Sequence, residues 1–242
     1  MVILIPVSEQ FLSIQGEGPT AGKRAIFLRT HACNLLCGAG KYAKESTWTC
    51  DTIPVFTKIQ KHYTAEELFS DWETRGWITE LTRGTHLVIT GGEPLILERQ
   101  EQLIPFLKML KDPFIEVETN GTICPSPALN THIAQYNVSP KLTSSGMPKA
   151  MRFVPEVIQW HCQNPRSFFK FVVTNKEDVR DLTNTYITPF NIPLNRVWLM
   201  PGAATRKTLL ELQPTIAQLA KESGMNFCSR LHILLYDQTT GV

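Results

Sequence analysis

The sequence predicts an α/β fold: a mostly parallel sheet that closes only part of the way into a barrel. Short apolar runs alternate with helical segments or connections, the pattern of repeated βαβ units. The polar and Gly-rich residues collect just after those runs, where parallel barrels build their sites. The chain has 242 residues, fewer than the ~250 typical of a full eight-unit barrel, and few clear helices stand against a larger number of strands.

Taken in order, Phe11–Pro19 (FLSIQGEGP) is Gly-rich and polar and reads as a loop centred on Gln15, Gly16, Glu17 and Gly18. Ala25–Arg29 (AIFLR) reads as the first core strand, closed by an arginine whose planar fork suits a carboxylate. Thr64–Trp72 carries a capping box, Thr64 at the N-cap and Glu67 at N3, and is the first clear helix. Leu87–Thr90 is a buried-type strand that runs into Gly91-Gly92-Glu93-Pro94. Gln100–Lys111 has helical periodicity, with Pro105 as a kink or a late start.

Phe114–Val117 is the next strand. Alternation sends Glu116 and Glu118 to the same side, read as one ligand contact and one lysine partner rather than an acid/base pair. Pro125–Thr131 holds no good helix. Ala134–Val138 is a strand that ends at Ser139-Pro140-Lys141, and Thr143–Met151 reads as a mobile loop. Phe168–Val173 and Val197–Met200 are strands, and Glu177–Leu182 opens a helix. Thr205–Glu222 is a long amphipathic segment interrupted by Pro214 and stopped by Gly224. Leu231–Leu235 reads as a last strand carrying His232. With no repeat, low-complexity tract or linker, residues 1–242 read as one domain.

Net charge is +2, with 43% hydrophobic and 19% charged residues. That balance offers no nucleic-acid or membrane surface. No apolar run approaches the ~20 residues of a membrane span. The N-terminal MVILIPVSEQ lacks the basic region of a signal peptide, which predicts a cytoplasmic chain with reduced cysteines.

Three of the six cysteines, Cys33, Cys37 and Cys50, lie in one stretch, separated by three and by twelve residues. Cys124, Cys162 and Cys228 are isolated. Fe–S clusters usually take four thiolates. Three would leave one iron open, and a small molecule can bind and be reduced there. His31 reads as a loop residue outside the cluster.

CNLLC (33–37) followed by TWTCDT (47–52) resembles the cluster loop of radical S-adenosylmethionine (SAM) enzymes. The common motif spaces its cysteines by three and two residues; here the second interval is stretched by Gly38–Thr49. Together with FLSIQGEGP, TGGEP, ETNGT and VSPK, the chain from Phe11 to His232 is similar to the 7-carboxy-7-deazaguanine synthase family. The resemblance implies a partial, modified (β/α)6 barrel and a 4Fe–4S cluster on Cys33, Cys37 and Cys50. It implies SAM held by Thr90, Gly91, Gly92 and Glu93, with Glu93 toward its ammonium, and by Glu118, Asn120, Ser139 and Lys141. Mg²⁺ would sit on Thr52, with Asp51 a weaker candidate.

The implied substrate is 6-carboxy-5,6,7,8-tetrahydropterin, held by Gln15, Gly16, Glu17, Arg29, Thr90 and His232, with Arg29 on its carboxylate. The implied reaction begins when one electron cleaves SAM to a 5′-deoxyadenosyl radical. That radical takes hydrogen from the substrate, whose ring contracts with loss of ammonia, and SAM is regenerated. A flavodoxin-like electron donor and a homodimer complete the expectation. Two other readings stay open: an activating enzyme for a glycyl-radical protein, and a zinc module on Cys33, Cys37, Cys50 and His31.

Overall fold

The computed structural model describes residues 3–239 and 241–242. Among the described residues nine strands form one sheet: β1 (Ile5–Ile14), β2 (Arg24–Thr30), β3 (Lys61–Tyr63), β4 (His86–Gly91), β5 (Ile115–Thr119), β6 (Gln135–Val138), β7 (Ser167–Val173), β8 (Val197–Pro201) and β9 (Asn226–Phe227). Their spatial order is β3-β1-β2-β4-β5-β6-β7-β8-β9. Every pairing from β2 through β4 to β9 is parallel. The two pairings made by β1 are antiparallel. β3 and β9 stand at opposite ends of the order, so the sheet curls without closing: the partial α/β barrel that the sequence predicts.

Helices and short connections cover the outer face. The capping box at Thr64 forms as read. Glu67 N–H donates to Thr64 Oγ1 at 3.1 Å and Thr64 N–H to Glu67 Oε2 at 2.9 Å, opening helix Ala65–Thr74. Trp72 from this helix is fully buried, edge-on to Phe106 of helix Leu97–Met109. The main core fills the space between sheet and helices, with Leu28, Ile89, Val117, Val138, Phe169, Phe171 and Leu199 all at most 1% exposed.

Several sequence expectations are corrected. Phe11–Ile14 is not loop but the second half of β1, because Phe11 stacks on Phe27 across the β1–β2 pair at 5.0 Å. Only Gln15 onward turns. Pro105 and Pro214 lie inside continuous helices, Leu97–Met109 and Arg206–Ser223. Pro127–Asn130 makes one helical turn, with Ser126 Oγ accepting from Leu129 N–H at 3.2 Å. The Thr143–Met151 segment is anchored: Ser145 and Met147 are buried and Lys149–Arg152 is helical.

Finally, Leu231–Tyr236 is a helix, not the last strand. A short apolar run cannot be told from a buried helix segment by periodicity alone. Here its first N–H donates to Gly16 O at 2.9 Å instead of joining the sheet. No helix among the described residues is long and apolar enough to cross a membrane.

Candidate active site

A cavity of about 830 Å³ opens at the C-terminal ends of the parallel strands. That volume lies in the usual range for small-molecule sites. The residues just past β2, β4, β5, β6 and β8 line it: Cys33, Gly92, Asn120, Ser139 and Gly202. A smaller cavity of about 350 Å³, lined by residues between Leu107 and Ala134, lies apart from these strand ends.

One wall is the cysteine loop. Cys33, Cys37 and Cys50 all line the cavity and pack in one apolar patch with Leu35, Tyr42, Trp48 and Met147. All three are free thiols. The twelve-residue stretch between Cys37 and Cys50 leaves the site and returns. Cys50 N–H donates to Cys37 O at 3.1 Å, and Thr49 Oγ1 to Gly38 O at 3.0 Å. Segment 143–147 clamps the excursion through Gly38 N–H to Ser145 O and Thr47 N–H to Ser144 O, each 2.9 Å. The long spacing therefore places its third thiol beside the second.

Burial first, then Glu93 and the other thiols, pushes Cys33 up to about 12. Burial likewise pushes Cys37 up to about 11 and raises Cys50. Such thiols need a cation to hold them as thiolates. A single zinc ion, with Zn–S about 2.3 Å, would draw three ligands together. Among the described residues no three His, Cys, Asp or Glu side chains converge that way. Three thiols around one pocket, with no fourth beside them, fit a cubane with one open iron.

Gly91 and Gly92 support this loop from below. A Cβ on Gly92 would overlap the Ala32 carbonyl oxygen, and one on Gly91 would overlap the Thr30 backbone. Gly92 N–H donates to Thr30 O at 3.2 Å and Glu93 N–H to Ala32 O at 2.9 Å. Glu93 departs from its expected role. It is 0% exposed, and it accepts from Leu95 N–H (3.0 Å), Thr119 Oγ1 (2.8 Å) and Asn120 N–H (2.7 Å). Burial pushes its carboxyl up to about 7 against these donors. It ties the β4 and β5 loops together and presents no carboxylate to the cavity.

Asn120 lines the cavity and donates to Asn34 Oδ1 at 2.8 Å, bracing the cysteine loop. Lys141 Nζ donates to Ser139 Oγ at 2.9 Å and stands over the Trp48 ring at 5.9 Å.

The facing wall is ionic. Glu17 meets Lys170 Nζ through Oε2 and Arg230 Nε at 2.9 Å through Oε1. Lys170 also reaches Glu118 Oε1 at 3.3 Å. Glu118 in turn accepts from Thr90 Oγ1 at 2.7 Å and from Gln15 Nε2 at 3.4 Å. Burial works to raise the Glu17 carboxyl, but Lys170, Arg230 and His232 hold it well below the usual range. Burial would lower Lys170, yet Glu118 and Glu17 raise it. Burial lowers His232, only partly offset by Glu17.

Glu116 lies one step deeper on the same strand face, fully buried, held by His86 Nδ1 (2.6 Å), Thr20 Oγ1 (2.7 Å) and Asn137 Nδ2 (2.7 Å). Arg29 Nε lies 3.1 Å from Glu9 Oε2 but lacks the alignment of a hydrogen bond. Its guanidinium sits over Phe11 at 5.5 Å and lines the cavity. Thr52 also lines it, with its hydroxyl donated to Asp51 Oδ1 at 3.2 Å.

The cavity thus gathers every predicted site residue except Glu93. Sequence reasoning missed Lys170, Trp48 and Arg230. The first had a signal: a lysine inside FFKFVV, since charged residues are almost never fully buried unless paired.

Fold and site together define a partial α/β barrel whose cavity is shared by a three-cysteine loop and a binding wall of paired charges. No family model matches the chain. It is 33% identical to the 7-carboxy-7-deazaguanine synthase of Pyrobaculum aerophilum, covering 98% of this chain and 97% of the relative. It is 34% identical to the enzyme of that name from Hyperthermus butylicus, covering 96% and 93%. The crystal structure of QueE from Escherichia coli shares the fold, with a TM-score of 0.66 over 95% of each chain at 22% identity. The chain belongs to the 7-carboxy-7-deazaguanine synthase family of radical SAM enzymes.

Proposed function

We propose that this chain, acting as one radical SAM domain, converts 6-carboxy-5,6,7,8-tetrahydropterin to 7-carboxy-7-deazaguanine with loss of ammonia. The observation that carries the reading is the single cavity bounded on one side by Cys33, Cys37 and Cys50 and on the other by Gln15, Glu17, Arg29 and His232. When bound, the 4Fe–4S cluster and SAM supply the radical that takes hydrogen from the substrate.

The protein's own part is to bind, orient and exclude water. Glu17 is an ionised acceptor for the N–H edge of a pterin. Gln15 donates to Glu118 and accepts from Glu17 N–H, so its amide is fixed in orientation. Arg29 offers its fork to the substrate carboxylate, in competition with Glu9. His232, whose imidazole burial lowers against the pull of Glu17, closes the site from helix Leu231–Tyr236. Thr90, Gly91 and Gly92, with Glu118, Asn120, Ser139 and Lys141, would hold SAM. Thr52 would supply one oxygen ligand to a bound Mg²⁺.

Lys41, Lys44 and Lys149 are exposed around the cysteine excursion, a face for an acidic flavodoxin-type electron donor. The enzyme works in the cytoplasm as a homodimer.

The test is anaerobic reconstitution with iron and sulfide, then SAM, reductant, Mg²⁺ and the carboxytetrahydropterin, with product followed by mass spectrometry. The expected result is a brown protein that forms 7-carboxy-7-deazaguanine with no partner protein present. A brown protein that yields only 5′-deoxyadenosine would overturn the substrate. A protein that takes up no iron would overturn the radical chemistry.

A further inference from the structure

Arg230 touches three segments that are distant in the chain. Its Nε donates to Glu17 Oε1 at 2.9 Å, its Nη1 to Ala203 O at 2.6 Å and its Nη2 to Asp51 Oδ2 at 2.7 Å. The side chain is only 14% exposed. Glu17 belongs to the substrate-side loop, and Asp51 stands between Cys50 and Thr52.

The residues next to Arg230 are fixed as well. Leu231 N–H donates to Gly16 O at 2.9 Å. A Cβ on Gly16 would overlap the His232 imidazole. The far end of helix Leu231–Tyr236 is held by Arg206, which donates to Leu234 O and Leu235 O at 2.8 Å each, while its N–H reaches Asp237 Oδ1 at 2.7 Å. The guanidinium is therefore clamped from behind by a rigid element. Its planar fork fixes the direction of each contact, which a lysine ammonium would not do.

We propose that Arg230 is a positioning residue that holds the cysteine-loop segment Cys50–Thr52 in register with the substrate loop Gln15–Glu17. Radical formation on one wall is thereby kept productive toward the ligand on the other. The inference rests on the radical SAM reading and deepens it. Glu17 cannot shift toward or away from a ligand without moving the arginine that orients Asp51. A reacting pair misplaced by about 1 Å can lose on the order of a hundredfold in rate, so a small slip between the walls is enough to uncouple the reaction.

The test uses the full chain, reconstituted, as Arg230→Met, Arg230→Lys, Asp51→Asn and the double variant Arg230→Met/Asp51→Asn. Two quantities are read: the ratio of released 5′-deoxyadenosine to 7-carboxy-7-deazaguanine, and the electron paramagnetic resonance spectrum of the reduced cluster with SAM, before and after pterin is added. The wild type is expected to show a low ratio and a spectrum that pterin perturbs. Arg230→Met is expected to keep its iron, raise the ratio by about tenfold or more, and lose the pterin-dependent spectral change. Arg230→Lys recovers part of both. Asp51→Asn reproduces the defect, and the double variant is no worse than either single one, as for two ends of one contact.

Should Arg230→Met fail to fold, Asp51→Asn, which leaves Arg230 bound to Glu17 and to the Ala203 carbonyl, decides the matter. A raised KM for pterin with wild-type ratio and spectral response would overturn the proposal, leaving Arg230 a substrate-side contact. So would a lowered unfolding temperature with both quantities unchanged. A wild type that makes product alongside variants with an unchanged ratio sinks this inference alone; a wild type that makes no product sinks the functional reading, and this one with it.

Discussion

One cavity is lined both by an ion-paired group, Glu17, Lys170 and Arg230, and by a loop of three thiols. The first wall is finished in the protein alone. Lys170 bridges Glu17 and Glu118, and Arg230 bridges Glu17 and Asp51. The second is organised through its backbone. Glycines pressed against the cysteine loop hold its base, and the Cys50–Cys37 contact closes its excursion. Its thiols are held protonated by burial. A wall that must recognise a small polar ligand is preorganised with fixed charges. A wall that must receive a metal cluster keeps only the loop path in place and leaves its charge to be completed on binding.

The comparison breaks most visibly at Gly92. Gly92→Ala forces a methyl group into the Ala32 carbonyl oxygen and against the Cys33 amide. That displaces the loop carrying the first thiol and leaves the ionic wall untouched. The expected outcome is a folded protein that retains little or no iron after reconstitution, measured by iron and sulfide content and by visible absorbance. Full iron loading would show that the loop does not depend on this backbone contact.

The converse experiment is Lys170→Met. Among the described residues it removes the only cation paired with Glu118 and one of the two Lys/Arg partners of Glu17, which also has His232 Nε2 at 3.8 Å. Breaking a buried ion pair by removing one partner destabilises a protein by about 3–5 kcal/mol; the lower end is expected here because Arg230 still neutralises Glu17. Denaturant unfolding of the apo protein reads the loss. A change within about 0.5 kcal/mol, the range of an ordinary surface substitution, would mean that the wall is not held by this bridge.

The same contrast explains what was legible in the sequence. The parallel strands β2 and β4 to β8 were visible as short apolar runs, and the three cysteines stood out through their clustering. The ends of helices were less so: Pro105 read as a kink or a late start and Pro214 as an interruption, yet the helices run through both, because packing of an amphipathic face overrides one lost hydrogen bond. β1 was hidden by the glycines at its end, and the last helix looked like a strand because a five-residue run with four apolar side chains carries no usable period.

In the site, the glycines of GGEP pointed to the right place for only part of the right reason. Their missing side chains make room for the cysteine loop, and Glu93 is turned inward to knit two loops. The ionic wall was the least legible part. Glu17 pairs with Lys170 across 153 positions and with Arg230 across 213, and no local pattern announces a pairing at that distance.

The smallest expected effect sharpens the comparison through pH. Burial alone would raise the Glu17 carboxyl, but Lys170, Arg230 and His232 hold it well below its ordinary 4.5. A carboxylate whose folded value is depressed contributes stability that is fully present above its unfolded value. That stability is lost as pH falls through the folded value, because the unfolded chain binds the proton first. Glu17 should therefore add no slope above the ordinary carboxylate range; its contribution should begin to fall as pH drops through that range and be gone once pH passes its depressed folded value, while His232, lowered by burial, adds its own decline below its ordinary 6.5. Glu17→Gln removes that titration. It is expected to lower stability at neutral pH, since Lys170 and Arg230 lose a shared partner, and to flatten the decline on acidification. Unfolding midpoints of wild type and variant at a series of pH values provide the check. Parallel curves through the acid range would mean that Glu17 titrates as an ordinary carboxyl, and that the wall facing the cysteines is no more preorganised than the cysteines themselves.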